Sequence, residues 1–145
     1  MAPMQKRAWW GLAIGIVFAV ALLLLFIIKG DVTTFNEDPG YRITVAILWV
    51  GTLVAYLVVM KLTLRKSEQV DERDRLILDR ATSVQLWALI VTLVAWTLAL
   101  TEVYWDTGCI PVIFLYLIFI SIQIIYVIAQ SLGIIIGYWR MNIDA

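Results

Sequence analysis

Asp71-Glu72-Arg73-Asp74-Arg75-Leu76-Ile77-Leu78-Asp79-Arg80 is the densest run of charge in the chain, and it passes directly into Ala81–Thr101, 21 residues without a charged side chain. A span of about 20 apolar residues, at roughly 1.5 Å each, crosses a hydrocarbon core of about 30 Å. The charged run therefore reads as the start of a helix that goes on to cross lipid. Asp71, Glu72 and Asp74 crowd its amino end, where acids suit the positive pole of the helix dipole. Asp71 and Arg75, Arg75 and Asp79, and Glu72 and Arg75 stand at helical-neighbour spacing. Arg80, one residue before the apolar run, can reach lipid phosphates. The plain reading is a solvated helix start at the membrane surface. The sharper one is a docking surface for a protein partner, formed by Asp71, Glu72, Arg73, Arg75, Asp79 and Arg80. Nothing nearby supplies a nucleophile, a metal site or an enclosed pocket, so catalysis by these carboxylates is not expected.

Outward from this run, three more charge-free segments appear. Ala8–Ile28 has 21 residues, Ile43–Met60 has 18, and Thr107–Trp139 has 33. A signal peptide is the rival reading of the first, but the run exceeds the usual 7–15 residues and Ile27-Ile28-Lys29-Gly30 is a poor cleavage site. The last segment is longer than one crossing needs. It must tilt, run past the membrane surface, or break near Gly133 or Gly137. Pro39-Gly40 reads as a turn in the Lys29–Arg42 connection. Pro111 suits the first turn of the last helix. The 63% hydrophobic and 15% charged composition agrees with lipid as the main solvent.

Lysine and arginine counts orient the chain. With both termini inside, Lys6, Arg7, Lys61, Arg65, Lys66, Arg73, Arg75, Arg80 and Arg140 lie on the cytoplasmic side, against Lys29 and Arg42 outside. Trp9, Trp10, Tyr138 and Trp139 would form an inner aromatic belt, and Tyr41, Tyr104 and Trp105 an outer one.

Asp71-Glu72-Arg73, then Ile77, then Arg80-Ala81 at the threshold of the third span form a pattern. It resembles an uncharacterised family of small prokaryotic four-span membrane proteins, known mainly as a domain of unknown function. The resemblance is specific over residues 71–81 and architectural elsewhere. It implies a fold and no activity. Some members of that family look like partners of small helix-turn-helix regulators, which implies a regulatory role.

Two polar stripes lie within the spans. Tyr116, Phe119, Gln123, Tyr126, Gln130, Gly133 and Gly137 share one face of the fourth at heptad spacing. Ala81, Gln85, Ala88, Thr92, Ala95 and Ala99 do so on the third. An unpaired amide is costly in lipid, and small residues allow close approach. The two stripes are therefore expected to face each other or a shared centre, with Gln85 near Gln130 or beyond it. Ala8, Gly11, Gly15 and Ala19 make a small-residue ridge on the first span, and Gly51 and Ala55 mark the second. These are packing signals within a bundle or at a dimer seam.

The missing residue types narrow the chemistry. The chain has no histidine and a single cysteine, Cys109. Histidine-ligated haem, a histidine base and an internal disulfide are excluded. No Asp, Glu, Lys or Arg lies deep in a span, whereas ion-coupled carriers place ionisable residues there. Cys109 is expected as a half-buried structural thiol, with an intermolecular disulfide as the alternative. The outer acids Asp31, Glu37, Asp38, Glu102 and Asp106 read as a solvated face, since no calcium-loop spacing is present.

The expected molecule is all-α: one polytopic plasma-membrane domain over residues 1–145, a four-transmembrane-helix antiparallel bundle with both ends inside. Its spans fall at about 8–28, 43–60, 81–101 and 111–133, with the charged helix start at 67–80. The third and fourth helices would project inward together, with Tyr138 and Trp139 near Leu76 and Ile77. The expected role is a non-enzymatic accessory or regulatory protein without cofactor, metal or nucleic acid, presenting the charged helix to a protein partner. A homo-oligomeric transporter or channel component working through the Gln85, Gln123 and Gln130 region is the second reading. A structural subunit of a larger membrane enzyme complex is the third.

Overall fold

The computed structural model, which describes residues 3–29, 32–64 and 72–143, resolves the apolar runs into long unbroken helices. In chain order they are α1 (Pro3–Lys29), α2 (Val32–Glu37), α3 (Pro39–Leu64), α4 (Glu72–Tyr104) and α5 (Ile113–Ile143). All but the short α2 are long and apolar enough to cross a membrane. No strand occurs among the described residues. Arg65, Lys66, Ser67 and Asp71 lie outside them.

Local chemistry sets the helix starts. The Asp38 carboxylate accepts from the Gly40 N–H at 2.8 Å and caps α3. Pro39 then takes the first helical position, where its missing N–H costs nothing. Pro39-Gly40 is thus the first turn of α3 and not a free turn, and α3 begins four residues before the expected 43. Lys29 at the end of α1 donates to Asp38 at 2.6 Å, so one carboxylate ties the α1 end to the α3 start. At the other connection Gly108 adopts φ +62° and its N–H closes on the Tyr104 carbonyl at 3.0 Å, ending α4 in the left-handed conformation that glycine permits. The Pro111 carbonyl accepts from Phe114, which puts Pro111 just ahead of α5 and not in its first turn.

α5 is the axis of the molecule. α1, α3 and α4 each pack against it, α1 also touches α3, and α4 has α5 as its principal neighbour. The result is a three-helix core with α4 laid along the outside of α5. Ala8 joins Ile134 and Tyr138 while Gly15 faces Val127 and Ile128, so α1 runs antiparallel to α5. Ala81 faces Gly133 and Ile77 faces Gly137, so α4 does too. Thr52 meets Gln123 and Tyr56 meets Tyr126, so α3 runs parallel to it.

The deepest row on α5 is Ile113, Leu117, Ile120, Ile124, Val127, Ser131, Ile134 and Tyr138, at strict heptad spacing. It divides into two apolar clusters. At the end where α2 lies, Phe35, Tyr41 and Val45 join Ile113, Leu117, Ile120 and Ile124. At the opposite end, called the basic end below, Ala8, Ile77 and Ala81 join Ile134 and Tyr138. Among the described residues the buried polar ones are Thr52, Gln85, Gln123 and Ser131; Ser131 falls between the two clusters on α5, and Gln123 sits beside Ile124 at the edge of the first.

Two belt residues are drawn inside. Tyr41 is fully buried with its ring edge against Phe35 at 5.6 Å, and its hydroxyl has no hydrogen-bond partner. Tyr138 is buried at the basic end. Trp9, Trp10, Trp105 and Trp139 stay exposed as a belt requires. Cys109 is exposed, not half-buried. It follows α4 in the turn that Gly108 starts, beyond the packed face of α5.

At Gly133 the α5 backbone comes up against the backbone of α4. A Cβ there would sit 2.8 Å from the Ala81 Cα, a backbone atom that cannot swing aside. At Gly15 a Cβ would meet Ile128 Cγ1 at 2.6 Å, a side-chain atom that can give more than a backbone atom. Gly133→Ala is therefore expected to destabilise the fold by about 1–3 kcal/mol, despite the better helix propensity of alanine. Gly15→Ala should cost less, and thermal unfolding in detergent compares the two.

The Lys29 hydrogen bond, followed by that from the Gly40 N–H, holds the Asp38 carboxyl below the usual carboxylate range. A lowered folded value adds stability that is complete above the unfolded value and disappears as pH falls through the folded one. Asp38→Asn keeps a capping oxygen and deletes the charge. Its Tm should lie below wild type at neutral pH, and the gap should close in acid.

Candidate functional site

The first turns of α4 are fastened to the last turns of α5. Ile77 is 1% exposed and seats against Gly137, where a Cβ would come within 2.7 Å of its Cγ2. One turn on, Ala81 sits on Gly133. Above these apolar contacts, the Tyr138 hydroxyl donates to Asp74 Oδ1. Arg73 Nε donates to Met141 Sδ at 3.1 Å. Ala8 of α1 closes the cluster, with Met4 beside it. The amino end of α4 is thus held by both packing and hydrogen bonds.

The remainder of that surface faces outward. Glu72, Arg73, Arg75, Leu76, Asp79 and Arg80 are exposed, and Asp74 is half-buried. Asp71 belongs to the expected set but lies outside the described residues. Tyr138 meets Ile77 as expected, while Leu76 and Trp139 point away, 56% and 65% exposed. Sequence reasoning missed Asp74 as a hydrogen-bond partner and Ala8 as part of the cluster; it set the Gly133 and Gly137 end of the α5 stripe toward the α4 stripe that starts at Ala81, where Ala81 does meet Gly133, but read the two glycines as a place where the helix could break. The available signal was their spacing. Gly133-x-x-x-Gly137 is a small-residue motif for close helix approach, and it does not break the helix.

The polar stripes are used between helices, and less symmetrically than expected. Gln85 donates to the Tyr126 carbonyl at 3.2 Å, one turn of α5 from Gln130. Gln123 faces the other way and accepts from Thr52 of α3 at 2.8 Å. Tyr116 and Phe119 lie against Trp49 of α3, with ring centroids 6.5 and 5.8 Å away. Tyr126 stacks edge-on with Tyr56 at 4.8 Å. Gln130 is half-buried. The stripe from Tyr116 to Tyr126 therefore faces α3, and only its Gly133 and Gly137 end faces α4. On α4, Thr92 returns its hydroxyl to the Ala88 carbonyl within its own helix, and Ala95 and Ala99 are exposed. The contact seam on α4 keeps Ala81 and Gln85 of the expected stripe and otherwise follows Ile77, Trp96 and Leu100, with Trp96 donating to Ser121 at 2.9 Å.

Beside Gln123 and Thr52, a cleft lined also by Gly15, Phe18, Tyr56 and Val127 encloses about 10 Å³. That is about the least volume that holds one water. Among the described residues no group of three or more His, Cys, Asp or Glu could hold a metal ion.

Comparison with known proteins gives no match, whether to a family model, a curated protein or a solved structure.

The Thr52–Gln123 pair is the test of the stripe. In a double-mutant cycle with Thr52→Val and Gln123→Leu, the coupling should be about 0.6 kcal/mol and not above about 1.7. Unfolding of the four proteins in one detergent measures it. Coupling near zero would mean that the pair contributes nothing to holding α3 on α5.

Proposed function

We propose that the chain is a multi-pass plasma-membrane protein with both ends in the cytoplasm, and that it serves as a non-enzymatic accessory or regulatory subunit. It presents the amino end of α4 to a protein partner. The observation that carries this reading is the two-sidedness of that helix. One side is clamped to α5 through Ile77, Ala81 and Asp74, while Arg75, Leu76, Asp79 and Arg80 are exposed on the other. A surface already held rigid loses little freedom on binding, which favours recognition. Alternating acids and bases around one apolar residue suit a specific partner more than a uniformly charged lipid surface.

Transport through this chain finds less support. Gln85 and Gln123 are engaged with neighbouring helices, and the cleft beside Gln123 holds at most about one water. The resemblance in residues 71–81 agrees with a regulatory role and adds no chemistry.

The orientation and the docking role share one experiment in intact cells. A membrane-impermeant maleimide should label the native Cys109. It should spare a Ser67→Cys probe in a Cys109→Ser background. In membranes of the same cells, the pair Arg75→Glu and Asp79→Lys should remove a co-purifying protein while Tm changes little. Labelling at position 67 would invert the topology, and an unchanged set of co-purifying proteins would remove the docking role.

A further inference from the structure

The first turns of α1 carry a second built surface, on the side away from the bundle. Lys6, Trp9, Trp10 and Ala13 line a notch of about 300 Å³. Their spacing of three and four places them along one face of the helix. Ala13 is the floor, since its methyl leaves room that a longer side chain would fill. The two indoles form walls, 48% and 65% exposed. Helical side chains lean toward the amino end, so the indoles tilt toward Lys6 at the mouth. Ala8, Gly11 and Gly15 on the same helix are buried against the bundle, so none of the described helices covers the notch.

We propose that this notch binds one anionic phospholipid, with its phosphate on the Lys6 ammonium and its upper acyl chain over Ala13 between Trp9 and Trp10. Three features converge on that occupant. Tryptophan settles at the boundary between headgroups and hydrocarbon, so the notch lies at the depth where a lipid changes from charged to apolar. Its own polarity changes in the same direction, from Lys6 at the basic end to Ala13 about two turns further in. The lysine selects headgroup charge: it pairs with the phosphate of an anionic lipid, whereas a zwitterionic lipid already carries a cation beside its phosphate. This inference rests on the membrane reading of the four long helices and is independent of the docking role of α4.

Native mass spectrometry of the purified chain tests it, in micelles doped with phosphatidylglycerol and phosphatidylcholine of equal acyl length. The wild-type chain should retain one phosphatidylglycerol in preference. Lys6→Gln should lower that preference about fivefold, the value of roughly one lysine at a lipid surface. Ala13→Trp, at an exposed position, should abolish retention of both lipids. Lys61→Gln, at the same end but outside the notch, should change nothing. Equal retention of the two lipids, a preference for phosphatidylcholine, or an equal loss in Lys61→Gln would each overturn the proposal. A chain that stays dispersed without detergent would overturn the membrane reading as well.

Discussion

The row of side chains from Ile113 to Tyr138 on α5 must be covered on several sides at once, and the other long helices are placed by how they cover it. In water such a row would bury itself for hydrophobic reasons. Between lipid chains that drive is nearly absent, because acyl tails are as apolar as leucine. There, close fit and hydrogen bonds would have to hold the helices. α1 approaches through Gly15, α4 through Gly133 and Gly137, and α3 through the Thr52–Gln123 bond. Each of the three contacts uses one of the two devices that work in lipid, and α4 adds the second through Gln85.

The number of long helices and their approximate limits were legible in the sequence, because a charge-free run of 18 or more residues is rare outside a membrane-crossing helix. The packing order was not. α5 is apolar on every side, so periodicity marks no inner face. The polar residues gave the only visible stripe, and it lies one residue away from the deepest row. In water a glutamine marks the outside of a helix. Here Gln123 marks a flank, and isoleucines occupy the centre. On α4 the expected alternation of three and four gave way to steps of four at Ile77, Ala81 and Gln85, set by the glycine seat on α5. No pattern within α4 alone carries that information.

The candidate surface was legible as charge and not as architecture. Exposure of Glu72, Arg75, Asp79 and Arg80 follows from their type. That Asp74 turns inward to a tyrosine 64 residues later does not. The belt residues show the same limit. Trp9 and Trp10 stay exposed, while Tyr41 and Tyr138 are buried in the two clusters.

The chain order of these helices has a further consequence. During synthesis, α5 emerges after the three helices it holds. α1 and α3 can find each other early, at Phe18 and Gly51. α4 finds only Ala8 and Met4 of α1 beside Ile77 and Ala81; the α5 glycines that seat it and the Tyr126 carbonyl that Gln85 uses come last. For that interval α4, long and apolar enough to cross a membrane, has the Gln85 amide unanswered by its final carbonyl. A ribosome that stalls between Tyr104 and Ile113 would leave α1 against α3 and an α4 without its main neighbour.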